Sequence, residues 1–180
     1  MLNNFSYKIF NKYLFITFCC LFINCSKKEV SMEDIDHIMS SLSYDDLQKF
    51  KNYTIAIRQK TITEIIYLVT DDNNIDDIKA FVTVNRSNGR ILNINSSLNE
   101  VEQDKIEKLI VNYNEFGYPY LSVDEEGNFC INPFFTDMQP YILCLREESK
   151  DLEIKRNLSV FKHYKNNLYI NTRYQNLLIK

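Results

Sequence analysis

The feature that most constrains the fold is one strongly amphipathic segment that separates two groups of strand-like runs. Its apolar residues recur at i, i+3, i+4 and i+7, the spacing that puts side chains on one face of a helix. These residues are Ile106, Leu109, Ile110 and Tyr113. Ser97 and Glu100 predict a capping box at its start, and Gly117 predicts its end. Strand runs that cluster on either side of one helix, rather than alternate with helices, favour antiparallel pairing.

The segment before this helix predicts a helical start followed by strands. Ser31 and Ser43, each followed three residues later by an aspartate, predict N-caps, so one kinked helix or two short helices should occupy about residues 32–51. Apolar residues that first alternate and then run continuously over residues 53–70 predict strands, with a helix as the alternative for the continuous run. Short β runs on both sides of residues 87–89 predict a hairpin.

The segment after the helix predicts further hairpins. One turns at Glu126 and Gly127, a strand lies around Tyr141–Arg146, and a pair of short strands is expected within residues 166–180. The expected fold is therefore α+β, an antiparallel sheet of several hairpins packed by one or two helices. It forms a single domain over residues 31–180.

The amino-terminal segment has the composition of an export signal. Lys8 and Lys12 precede an apolar run over residues 13–23, and no acidic residue occurs before Glu29. Because a spanning helix needs about 20 apolar residues, this shorter run disfavours a permanent transmembrane anchor. The run stops just before a cysteine, Cys25, which needs a separate explanation.

The end of this run resembles the lipobox of a bacterial lipoprotein signal peptide. The matching residues are Leu21, Phe22, Ile23, Asn24 and Cys25. The resemblance covers residues 1–28 and implies that residues 1–24 are a signal peptide that is removed. Cys25 would then carry the lipid, and residues 25–30 would form a lipidated tether to the membrane. Two or three acyl chains hold a protein firmly to a bilayer.

The residues next to Cys25 bear on where the exported protein resides. Ser26 stands where an aspartate in similar lipoproteins signals retention at the inner membrane, so the resemblance favours the outer membrane. Lys27 and Lys28 fit a solvated tether, with attraction to an anionic surface as the alternative.

Cysteine usage leaves two interpretations open for the domain. The chain has five cysteines, and removal of Cys19 and Cys20 with lipidation of Cys25 leaves Cys130 and Cys144 in an oxidising compartment. A disulfide between them would close a loop of about 15 residues and stabilise the fold by roughly 3 kcal/mol. The alternative is two buried thiols that pack as small apolar side chains.

Charge is distributed unevenly along the chain. Residues 25–154 contain all 24 acidic residues and have a net charge of −11, whereas residues 155–180 have a net charge of +6. This tail suggests a basic and aromatic binding patch for an acidic protein partner or an anionic lipid head group. The aromatic turn "YNEFGYPYL" is suited to stacking against sugar rings or to anchoring a protein partner, with closure of the core at the helix end as the alternative. The candidate patch residues are Lys162, Lys165, Arg173, Tyr164, Tyr169, Tyr118 and Tyr120. Internal pairing of the tail with the acidic body is the alternative. Export argues against nucleic acid as the partner.

No catalytic or metal-binding spacing stands out. In the acidic loop over residues 71–77, Asp77 replaces the glycine of a calcium loop, and Thr83 replaces its closing glutamate. A cysteine thiolate with His163 as its base is the one nucleophilic arrangement to consider. We therefore expect no cofactor and no metal.

The sequence favours a lipid-anchored, non-catalytic binding module, such as an immunity-type protein or a surface component. The alternative is an envelope hydrolase for glycan or peptide that uses carboxylates such as those of residues 124–126.

Overall fold

The computed structural model describes residues 30–71, 74–134, 140–146, 160–173 and 178–179. Residues 1–29 with Cys25, residues 72–73 of the acidic loop, and residues 135–139, 147–159, 174–177 and 180 therefore lie outside the described residues. The described part contains three helices and eleven strands. In chain order they are β1 (Val30–Ser31), α1 (Met32–Ser41), α2 (Tyr44–Leu47), β2 (Tyr53–Lys60), β3 (Glu64–Asp71), β4 (Asn74–Asn85), β5 (Ile91–Ser96), α3 (Glu100–Phe116), β6 (Tyr120–Val123), β7 (Phe129–Asn132), β8 (Ile142–Cys144), β9 (Phe161–Lys165), β10 (Leu168–Asn171) and β11 (Leu178–Ile179).

Nine of the strands form one antiparallel sheet in the order β5-β4-β3-β2-β6-β7-β8-β10-β9. The two groups of strands join where β2 pairs with β6, from Tyr53 opposite Val123 to Ala56 opposite Tyr120. A second, two-stranded sheet pairs β1 with β11 in parallel. The expected α+β fold with an antiparallel sheet is confirmed.

Helix α3 packs one face of the sheet through the apolar residues that its periodicity predicts. Ile106, Leu109 and Ile110 are buried together with sheet residues of β2, β4 and β6. Tyr113 is fully buried, and its hydroxyl donates a 2.6 Å hydrogen bond to the carbonyl oxygen of Tyr118. Each such large side chain removed from water contributes about 1.5–3 kcal/mol to the free energy of unfolding, so α3 is a main support of the sheet.

The helix starts were predicted with mixed success. At α1, the Ser31 side chain accepts from the Asp34 amide, as expected. The capping box of α3 is formed by Asn99 and Glu102, so the prediction of Ser97 and Glu100 was wrong by two residues. Since β5 extends to Ser96, the chain needs the following residues to turn back across the sheet before its first helical turn.

The strand prediction held for most hairpins and failed in the tail. The turns at residues 87–89 and at Glu126–Gly127 connect β4 to β5 and β6 to β7. The two short strands expected in the tail exist as β10 and β11, but they do not pair with each other. Instead β10 pairs with β8 and β9, and β11 pairs with β1. Strand β9 was missed because its sequence, "FKHYK", is largely polar and lies at the sheet edge.

The central strands are buried on both faces. A second apolar cluster lies on the face opposite α3 and consists of Ala56, Tyr120, Cys130, Leu143 and Leu145, with Phe161 and Tyr169 packed against it. This second face explains why β6 and β7 are buried at every position. Their side chains therefore serve packing on either side of the sheet.

Candidate functional site

Besides the strand pairing of β10 with β8 and of β11 with β1, one ion pair between described residues joins the basic tail to the acidic body. The Lys165 ammonium lies 2.6 Å from a carboxylate oxygen of Asp36 in α1, and the Tyr164 hydroxyl donates to the same carboxylate at 3.4 Å. The hydrogen bond with Asp36 raises the pKa of Lys165. Two of the predicted patch residues therefore meet an internal acidic partner, which is the alternative that the charge pattern left open.

The remaining patch residues are dispersed. Lys162 and Arg173 are exposed, whereas Tyr169 packs against the second apolar cluster. Tyr120 is only 7% exposed, and three strands separate its strand from β9. Tyr118 lines a cleft of about 290 Å³ beside Lys49, away from β9 and β10. The structure thus brings Tyr164 and Lys165 together but does not unite the predicted residues into one surface.

Cys130 and Cys144 are thiols and not a disulfide, contrary to the first of the two interpretations. Strands β7 and β8 do pair, but Cys130 lies opposite Leu143, and Cys144 lies opposite Phe129. Because neighbouring residues of a strand point to opposite faces, Cys130 faces the second apolar cluster and Cys144 faces the helix-covered core. The sheet therefore separates the two sulfur atoms.

The strand register also separates His163 from Cys130. His163, Tyr169, Leu143 and Cys130 form one row across four strands. At about 4.8 Å per strand, His163 lies roughly 14 Å from Cys130. Burial raises the pKa of the Cys144 thiol to about 11, which suppresses the reactive thiolate. His163 instead contacts the carbonyl oxygen of Asn166 at 2.6 Å.

The carboxylate of Asp124 has a structural role in the β6–β7 turn. Asp124 is 3% exposed, and its oxygens accept from the Asn128 backbone amide at 2.7 Å and from the Asn128 side-chain amide at 2.8 Å. Asn128 in turn accepts from the Arg146 amide at 2.8 Å. Glu125 and Glu126 are exposed. The geometry fits a closed turn and not an acid–base pair around a substrate.

The two described ends of the acidic loop contact a lysine. Lys79 lies 2.6 Å from Asp77 and 3.9 Å from Asp71, and the hydrogen bond with Asp77 raises its pKa. Glu102 at the start of α3 adds to this shift. This end of β3, β4 and α3 is therefore predominantly acidic.

The opposite end of strands β3 and β4 carries a cleft lined by basic residues, which was not predicted from the sequence. We call it the basic cleft, and its volume is about 560 Å³. It is lined by Ile57, Arg58, Gln59, Lys60, Thr61, Ile62 and Arg86. It lies where the β2–β3 turn runs beside the β4–β5 turn. No described carboxylate forms an ion pair with Arg58, Lys60 or Arg86.

Hydrogen bonds hold the two turns of the basic cleft together. The Arg86 amide donates to the Thr63 carbonyl at 2.8 Å, and its guanidinium donates to the Thr61 carbonyl at 3.2 Å. The Thr61 side chain accepts from the Glu64 amide at 2.9 Å. Arg86 is thereby positioned with its positive charge at the cleft, and Ile62 at the apex of the β2–β3 turn is 91% exposed. The only local signal in the sequence was the occurrence of Arg58 and Lys60 between two strand-like runs and of Arg86 just before the predicted turn at residues 87–89.

The described residues offer no other obvious kind of site. Within the ranges given above, no group of three or more His, Cys, Asp or Glu side chains is arranged to hold a metal ion. In that same part of the chain, no helix has both the length and the apolar character needed to cross a bilayer. The chain matches no protein-family model, no curated protein and no solved structure. The function is therefore argued from the site itself.

Proposed function

We propose that this chain is an exported lipoprotein, attached to the membrane through Cys25, that acts as a non-catalytic binding module for an anionic ligand. The observation that carries the proposal is the basic cleft, where Arg58 and Lys60 line an open volume and form no ion pair with a described carboxylate. The chain has 24 acidic and 21 basic residues, so carboxylates are plentiful, yet none of those in the described ranges forms an ion pair with these two. Such uncompensated charge raises the local concentration of anionic ligands.

The anchor rests on the lipobox resemblance and on the burial of Val30 close to Cys25 in sequence. Val30 is 1% exposed and belongs to the main core, five residues after Cys25. A lipidated Cys25 would therefore hold the domain close to the membrane by a short tether. The outer membrane is the proposed location, because Ser26 lacks the acidic side chain that signals inner-membrane retention.

The anchor is tested by substituting the proposed lipid-bearing residue. We expect Cys25→Ser to abolish incorporation of a labelled fatty acid and to move the protein from the membrane to the soluble fraction. Cys19→Ser and Cys20→Ser, made in the same chain, are matched controls and should leave labelling unchanged. Labelling that survives Cys25→Ser would reject the anchor.

The binding site is tested by comparing two pairs of charge reversals on immobilised polyaspartate. Arg58→Glu with Lys60→Glu alters the basic cleft, and Lys162→Glu with Arg173→Glu alters the exposed tail by the same net charge. We expect the full-length cleft variant to elute at clearly lower salt than the tail variant, because Arg58 and Lys60 line one open volume together with Arg86. A larger shift for the tail pair would reject the cleft and favour the tail patch.

A further inference from the structure

We propose that the anionic ligand of the basic cleft is the membrane surface itself, and that the β2–β3 turn docks on phosphate-bearing lipid head groups. This inference rests on the proposed function, since it takes Cys25 as the first attachment point. The basic cleft is then a second contact that fixes the orientation of the domain on the bilayer.

The composition of the turn fits a membrane interface better than a purely ionic partner. Ile62 is 91% exposed at the apex, whereas Arg58, Lys60 and Arg86 lie around the cleft behind it. An apolar side chain ahead of basic ones can enter the head-group region while the charges stay with the phosphates. An acidic protein partner would account for the basic side chains but not for the exposed apolar side chain of Ile62.

The turn is already formed before it meets a ligand. Thr61 and Glu64 close it by reciprocal hydrogen bonds, and two hydrogen bonds from Arg86 fasten it to the neighbouring turn. A preformed contact loses little conformational entropy on binding. This allows a small number of charges and one apolar side chain to make a useful contact.

The charge distribution along the strands selects one orientation. Strand β3 runs from Glu64 beside the basic cleft to Asp71 at the acidic end, a span of about 23 Å at 3.3 Å per residue. An anionic surface attracts the first end and repels the second, where Asp77 and Glu102 also lie. The domain would therefore stand on its basic turns with its acidic end towards the aqueous phase.

The tether makes this weak second contact effective. Five residues from Cys25 to Val30 span at most about 18 Å, so the domain cannot leave the vicinity of the bilayer. A contact made within one attached molecule benefits from a high effective concentration. Each basic residue near an anionic surface is expected to strengthen the contact about fivefold.

The experiment uses the absence of tryptophan from the chain. Ile62→Trp places a single indole at the apex of the turn, and Val101→Trp places the matched control indole at the acidic end, where Val101 is 67% exposed. The full-length lipidated protein is reconstituted into phosphatidylcholine vesicles with or without about 30% phosphatidylglycerol. Indole emission, quenching by brominated lipids and co-flotation with the vesicles are measured.

In the phosphatidylglycerol vesicles, we expect the emission of the Ile62→Trp indole to shift to shorter wavelength and to be quenched by brominated lipids. The emission of the Val101→Trp indole should stay that of a water-exposed group. Adding Arg58→Glu and Lys60→Glu should abolish the shift without releasing the protein.

A protein that floats but keeps a water-exposed Ile62→Trp indole would overturn the docking and leave the anchor intact. If that indole responds to polyaspartate instead, the ligand is an acidic partner and the membrane contact is rejected. A Cys25→Ser chain that still incorporates the labelled fatty acid, and whose indole is still quenched, would reject Cys25 as the anchor and retain the docking.

Discussion

Burial decides the chemistry of individual residues in this domain, and Cys144 shows it best. Its thiol lies on the helix-covered face of the sheet, where burial raises its pKa from 9.0 to about 11. The folded protein therefore favours the neutral thiol more strongly than the unfolded chain does. Cys144 acts as a small apolar side chain, and its ionisation becomes a cost to folding only at high pH.

The first prediction concerns the pH dependence of stability. Burial raises the pKa of the Cys144 thiol in the folded protein, so the contribution of the neutral thiol to the free energy of unfolding is fully present below pH 9. This contribution is lost as the pH rises from 9 to about 11. Cys144→Ala removes this group, so the variant should lose less free energy of unfolding between pH 8 and 10 than the parent. Urea denaturation at both pH values measures the difference. Equal losses in the two proteins would contradict a buried, pKa-raised thiol.

The second prediction concerns two glycines with positive φ. Gly127 has a φ of +88°, and an added Cβ would collide with the Tyr44 hydroxyl and crowd Gln48. Gly117 has a φ of +63° but no heavy atom within 4 Å of the added Cβ. Gly127→Ala should therefore lower the free energy of unfolding by clearly more than the roughly 1 kcal/mol expected for Gly117→Ala. Similar losses in urea denaturation would show that the Tyr44 contact can relax freely.

At the scale of elements, sequence periodicity predicts the helices and hairpins well, but it does not predict their neighbours. The buried face of α3 and the turns at residues 87–89 and 126–127 follow from local spacing. The pairing of β2 with β6 joins strands separated by α3, and no local pattern encodes it. The basic cleft depends on two turns lying side by side, which is also a consequence of the assembled sheet.

The third prediction tests where α3 begins. Asn99 accepts from the Glu102 amide at 3.0 Å, whereas Ser97 precedes the cap. Asn99→Ala should lower the free energy of unfolding by about 1 kcal/mol, because it leaves an amide of the first turn without its side-chain acceptor. Ser97→Ala is the matched control and should have little effect. A greater loss for Ser97→Ala would restore the start predicted from sequence.

At the scale of the whole molecule, the strongly acidic average of the body conceals a separation of charge. The acidic end is formed by the β3–β4 loop and the start of α3, and the basic end is formed by two neighbouring turns. A net charge summed along the sequence cannot show this separation, because antiparallel strands return repeatedly to the same two ends. The tail, which looked like the basic partner of the body, contributes one described ion pair, Lys165 with Asp36.

The fourth prediction distinguishes the tail residues by their contacts. Lys165→Glu places two carboxylates together beside α1, so it should lower the Tm of the protein. Lys162→Glu changes the net charge equally but has no described ion pair, so its Tm should stay near that of the parent. Thermal unfolding followed by circular dichroism gives both values. Equal decreases would assign the effect to net charge and not to the Asp36 contact.

The parallel pairing of β1 with β11 has a consequence for the order of events during folding. Val30 belongs to the first strand of the described chain, yet its backbone partner, Leu178, belongs to the last. The small sheet cannot close until the ribosome has synthesised Leu178 and Ile179. Its two strands are almost 150 residues apart in sequence, so a large loop-closure entropy makes this pairing a late step of folding.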